Sequence, residues 1–273
     1  MTLPTSFARD GFQAPAVLRG VKKRRLLVGC DGPPDSGKSE FALSAPGPGL
    51  AICLDRGLDP LFDNRQPPAS RQSDWAFQVI TAPLQTQTKQ ETFQEYWALF
   101  RDTVKRAAAN PNARTLLLDG DSDSWELQRL AAFGTLSQIP SIRYTEVNAA
   151  RRAFYARLWD SGKIIIATNK IRKVYKNKML PDGTVAKDPN SGKDIREWDG
   201  KTYERQGFDD QEYLWQIQLT HMYSETKQQW GIRIKKCKVD PSLVGMELWG
   251  NDCNFQSLVQ VAYPNVPLSE WGY

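Results

Sequence analysis

Residues 32–39 read GPPDSGKS, between the apolar run LLVGC (26–30) and the segment SEFALS (39–44). The spacing G-x-x-x-x-G-K-[ST] is met in full. A buried strand that turns through glycines into a helix collects backbone N–H groups, a helix N-terminus and a lysine around one anion. The rival reading, a Gly-Pro surface turn, leaves the flanking strand and helix unexplained. A strand followed by a covering helix also selects an α/β layer arrangement.

The rest of the chain repeats that alternation. LAICLD (50–55), TLLLD (115–119) and KIIIAT (163–168) read as buried strands, and FQVI (77–80) as an edge strand. Phe93, Tyr96, Trp97, Phe100 and Val104 recur at helical spacing over 92–110, and 147–159 is a second amphipathic helix. YLWQIQLTHMYS (213–224) and WGIRIKKCKV (230–239) alternate apolar and polar residues, as paired strands do. The expected fold class is α/β: a mostly parallel central sheet flanked by helices, antiparallel C-terminal strands and a long basic insertion at 171–207. A segment of that length without buried periodicity is usually functional or disordered.

Composition narrows the chemistry. The 273 residues carry 40% hydrophobic side chains, enough for a core, and no apolar run long enough for a membrane span. There is no apolar signal-peptide segment, so the expected location is the cytoplasm. One histidine, His221, argues against Ser-His-Asp catalysis and multi-histidine metal sites, and is expected to be structural. Cys30, Cys53, Cys237 and Cys253 are scattered without a C-x-x-C pair and read as reduced thiols. The net charge of +5 permits a nucleic-acid partner without requiring one.

The phosphate loop assigns roles. Gly32, Pro33, Pro34, Asp35, Ser36, Gly37, Lys38, Ser39 and Glu40 are the candidates for binding ATP; Lys38 reaches the β- and γ-phosphates and Ser39 offers its hydroxyl to Mg2+. Asp119 ends a strand on the same sheet edge and is the candidate second metal residue. A calcium loop starting at Asp119 fails, because its sixth position is Ser124 and its twelfth Leu130. Asp121 and Asp123 are expected at the surface or capping a helix. Thr168 and Asn169 end another strand and suit a γ-phosphate sensor or the positioning of water.

In this order the motifs resemble the RecA-like P-loop ATPases, in particular phage nucleotide-binding and single-strand annealing proteins. GPPDSGKSEFALSAPGPGLAICLD, TLLLDGDSDSW, IIIATNKIRKVY and EYLWQIQL…IRIKKCKVDP carry the likeness, over about 24–245. It implies an Mg-dependent ATPase that forms a homo-oligomer, a filament or a ring, on single-stranded DNA in recombination or annealing. It implies that Asn169 senses the γ-phosphate, and that Lys236 and Lys238 act in trans on a neighbour's nucleotide. The family's glutamate past the second strand is missing from CLDRGLDP. Either Asp55 or Asp59 takes the role of base, or hydrolysis is slow and ATP serves as a switch.

The resemblance also places a DNA-contacting loop where the long segment begins. Lys170, Arg172, Lys173, Lys176 and Lys178 surround Tyr175 there, a positive groove with an aromatic platform. LPDGT (180–184) reads as a hairpin tip; the rival reading is a solvated hairpin without a ligand. Residues 1–20 are expected to be a tail, with Phe7 and Phe12 as possible contacts to a neighbouring subunit, and 21–273 one domain. The alternatives for function are a nucleotide switch acting on a protein partner and a small-molecule kinase.

Overall fold

The computed structural model describes residues 24–54, 75–82, 88–135, 139–189 and 191–273. The tail 1–20, Asp55 and Asp59 lie outside the described residues. The strands are β1 (Leu26–Asp31), β2 (Gly49–Cys53), β3 (Trp75–Val79), β4 (Thr115–Asp119), β5 (Ile164–Asn169), β6 (Ile171–Asn177), β7 (Arg196–Arg205), β8 (Ile217–Ser224), β9 (Gln229–Cys237) and β10 (Glu247–Trp249). The helices are α1 (Lys38–Leu43), α2 (Gln90–Ala109), α3 (Asp121–Phe133), α4 (Tyr144–Asp160), α5 (Gln211–Leu214), α6 (Phe255–Ala262) and α7 (Leu268–Trp271).

Eight strands form one sheet in the order β10-β9-β8-β1-β5-β4-β2-β3. All neighbours from β8 to β3 run parallel; β9 and β10 are antiparallel. This is the α/β class expected, with FQVI on the edge strand β3 and the C-terminal strands antiparallel. The buried parallel strands read as continuous apolar runs because both faces are covered. Successive side chains feed opposite layers. Leu26, Val28, Ile164 and Ile166 pack with Phe41 of α1, Phe255 and Leu258 of α6 and Trp271 of α7. Leu27, Leu116, Leu118 and Ile165 pack with Phe93 and Phe100 of α2, Leu127 of α3 and Tyr155 of α4.

The sheet order decides what meets at the carboxyl edge. β1, which ends on the GPPDSGKS loop, is not next to β4, which ends on Asp119; β5 lies between them. The register sets Asp31 beside Asn169. The segment after β5 folds as a separate antiparallel ribbon of β6 and β7. Between β6 and β7, LPDGT closes a small hairpin of its own, with Met179 bridged to Val185 and Leu180 N–H donating to Thr184 O at 2.8 Å.

His221 is buried within β8, and all four cysteines are free, three of them buried. No helix among the described residues is long and apolar enough to cross a membrane.

Candidate phosphate-binding site

Gly32 starts the loop where a side chain has no room. A Cβ there would lie 2.6 Å from Ser36 Oγ and 2.9 Å from His221 O. Asp35 and Gly37 take left-handed conformations at φ 56° and 81°, which bend the loop into α1. Ser36 Oγ donates to Pro33 O at 2.8 Å. The N–H groups of Asp35, Ser36, Gly37, Lys38 and Ser39 make no hydrogen bond to a backbone carbonyl among the described residues; the first such bond in α1 runs from Phe41 to Gly37 O. Unpaired N–H groups at a helix start are what an anion satisfies.

Lys38 Nζ folds back over the loop, donating to Gly32 O at 3.0 Å and Pro33 O at 2.5 Å. Burial pulls its pKa down. Ser39 Oγ lies 3.3 Å from Asp119 Oδ1, as the strand-end placement of Asp119 predicts. Thr168 Oγ1 donates to the same Oδ1 at 2.7 Å and accepts from Gly120 N–H at 2.9 Å. These contacts hold a carboxylate and a hydroxyl side by side at the loop's exit.

ATP and Mg2+ fit these residues. The bare N–H groups and Lys38 suit phosphate oxygens. Among the described residues no three His, Cys, Asp or Glu side chains gather to hold an ion by themselves. Magnesium does not need such a cage: one or two protein oxygens complete a sphere made of water and phosphate.

No family model and no curated protein matches the chain. Among solved structures it is similar to the crystal structure of the RadB recombinase, with 11% identity, a TM-score of 0.44, and 86% of this chain and 90% of that chain covered. A likeness that loose leaves the reading of the site to this chain's own residues.

Asn169 is buried beside the loop, where its Nδ2 donates to Asp31 Oδ1 at 3.0 Å. Gln218 Nε2 donates to Asp31 Oδ2 at 2.6 Å. Burial raises the Asp31 pKa, against these hydrogen bonds. Asp31 and Gln218 escaped sequence reasoning, although a carboxylate closing a buried strand one residue before the loop is a visible signal in CDG.

Trp230 was missed too, and no local signal could have found it. From β9 it donates its indole N–H to Asp35 O at 3.0 Å. Its ring lies against Gly37, where a Cβ would sit 3.2 Å from Trp230 Cγ.

Other expected residues fall elsewhere. Lys236 Nζ donates to Glu212 O and Lys238 Nζ to Tyr213 O at 2.6 Å, so both lysines lie over α5 of their own chain. Lys170 Nζ reaches Asp123 Oδ1 at 2.6 Å. The placement expected for Asp121 and Asp123 is corrected: both are buried, and α3 has no side-chain cap. Asp121 is 1% exposed because four donors reach it, one of them Ser124 Oγ of its own helix, which donates to Oδ1 at 2.9 Å. Arg151 Nη2 donates to Oδ1 at 2.7 Å, while Tyr155 OH and Gln211 Nε2 donate to Oδ2 at 2.5 and 2.6 Å. This network ties α3, α4 and α5 together behind the site. Ser122 Oγ joins it to the ribbon base, accepting from Lys170 N–H and donating to Gln206 O.

Proposed function

We propose that the chain is an Mg2+-dependent, RecA-like ATPase that assembles as a homo-oligomer on single-stranded DNA, in phage-type recombination or annealing. The observation that carries the nucleotide half is the meeting of Ser39 and Asp119, 3.3 Å apart, at the exit of a left-handed loop with unpaired N–H groups. Magnesium, when bound, neutralises phosphate charge and orients the γ-phosphate for attack. Lys38 leaves the Gly32 and Pro33 carbonyls to hold the β- and γ-phosphates. Thr168 keeps Asp119 turned toward Ser39. Asn169, one hydrogen bond from Asp31, stands where a change at the phosphates passes into β1 and β8. In this reading Asp55 is the base, and Lys236 and Lys238 serve a neighbouring subunit after release from α5.

The DNA half is supported by the cationic and aromatic ribbon that begins at Ile171, two residues after Asn169. A switch acting on a protein partner is the second reading, favoured by the carboxylates that pair with Lys170, Arg172 and Lys178. ATP turnover with and without single-stranded DNA, for wild type and Lys38→Ala, tests the proposal. Turnover that DNA stimulates and Lys38→Ala abolishes is expected. Turnover indifferent to both would sink it, and nucleotide-dependent assembly without DNA retention would favour the second reading.

A further inference from the structure

The two faces of the β6–β7 ribbon balance their charges differently. Residues directly opposite on antiparallel strands share a face. Arg172 stands opposite Glu204 and Lys176 opposite Glu197. Arg172 Nε donates to Glu204 Oε1 at 2.6 Å, and Lys178 Nζ lies 3.2 Å from Glu197 Oε2. Cations on this face therefore sit beside carboxylates that repel a phosphodiester.

The other face pairs Lys173 with Tyr203, Tyr175 with Trp198, and Asn177 with Arg196. None of these six residues is acidic; at the far end Asn177 Nδ2 donates to Asp194 Oδ2 at 3.4 Å. Trp198 and Tyr203 meet edge to face with centroids 5.2 Å apart, and Lys173 Nζ lies 4.4 Å from the Trp198 ring. Tyr175 and Tyr203 are 52% and 47% exposed, so these rings are not filling a core.

We infer that single-stranded nucleic acid stacks its bases on the Lys173, Tyr175, Arg196, Trp198 and Tyr203 face, and that the Arg172–Lys176 face stays in solvent. This rests on the reading that the chain binds single-stranded DNA. Rings interleaved with cations, in cross-strand pairs that contain no acidic residue, suit unpaired bases on a polyanion, because every base has a π-face and the phosphates need positive neighbours. The rings make binding tolerant of sequence, while Lys173 and Arg196 make it depend on salt.

The test is a titration of a labelled oligothymidylate with the full chain and Mg-ATP, at several salt concentrations. Trp198→Ala and Tyr203→Ala should each weaken binding about ten-fold or more without changing the salt slope. Lys173→Ala should lower the slope by about one. Arg172→Ala should change affinity about two-fold or less, since its charge is already offset. Trp198→Phe, which keeps a ring, should stay near wild type and separates stacking from loss of the ribbon. If wild type binds and the aromatic variants bind equally well, the face is misassigned and the DNA reading survives. If wild type retains no oligonucleotide even at low salt, the DNA reading falls and this inference with it.

Discussion

Replacing Trp230 with alanine should weaken nucleotide binding without unfolding the chain. Lys38 now holds the loop by donating to Gly32 O and Pro33 O. To reach a phosphate it must leave both carbonyls. The indole bond to Asp35 O, at 3.0 Å, is a tether that can stay. Such a hydrogen bond contributes about 1 kcal/mol. Asp35 sits at φ 56°, where holding a non-glycine residue costs about 1 kcal/mol, and the Trp230 ring packed against Gly37 two residues on keeps that bend in place. Losing both gives about 2 kcal/mol, or roughly 30-fold weaker binding. Trp230→Phe removes the N–H but keeps an aromatic ring and should cost about 5-fold. Adding Asp35→Gly to Trp230→Ala should recover about 5-fold, because glycine accepts the left-handed conformation freely. Calorimetric titration with Mg2+ and a non-hydrolysable ATP analogue measures all three, and urea unfolding checks the fold. Affinities for Trp230→Ala and Trp230→Phe both within two-fold of wild type would refute the reasoning.

Asp119→Asn should leave the fold intact and lower affinity for Mg-ATP far more than for metal-free ATP, as titrations with and without EDTA would show; Ser39→Ala should do the same less strongly. His221 is pushed down to about 3, first by burial and then by the Lys38 charge, so the folded chain keeps it neutral. The unfolded chain binds that proton near pH 6.5, so stability is lost as pH falls from about 6.5 toward 3, by up to about 1.4 kcal/mol per unit. His221→Phe should remove that slope, with no difference in slope above pH 7, measured as melting temperature against pH. Arg151→Met strands the Asp121 carboxylate in the interior and should cost about 3–5 kcal/mol in urea unfolding, and adding Asp121→Asn should recover part of it.

What could be read locally was read. The loop, the strand before it, the carboxylate ending TLLLD and the hairpin tip at LPDGT are written in contiguous residues, because backbone period, glycine conformations and strand ends are short-range properties. The ribbon was legible as a basic aromatic segment, but not its two faces. These depend on cross-strand register, which joins Arg172 to Glu204 and Tyr175 to Trp198. Asp121 looked like a surface residue because an acidic side chain is seldom buried without partners, and its partners Arg151, Tyr155 and Gln211 lie on other helices.

The chain's own letters determined a G-x-x-x-x-G-K-S loop on an α/β sheet with a carboxylate and a ribbon at its carboxyl edge. Only the tertiary structure decided that β5 separates β1 from β4, that Trp230 braces Asp35 from 195 residues away, and that Lys236 and Lys238 lie on α5. The reason is physical: strand order and register are set by burial summed over the whole sheet, and no short stretch of sequence carries that sum.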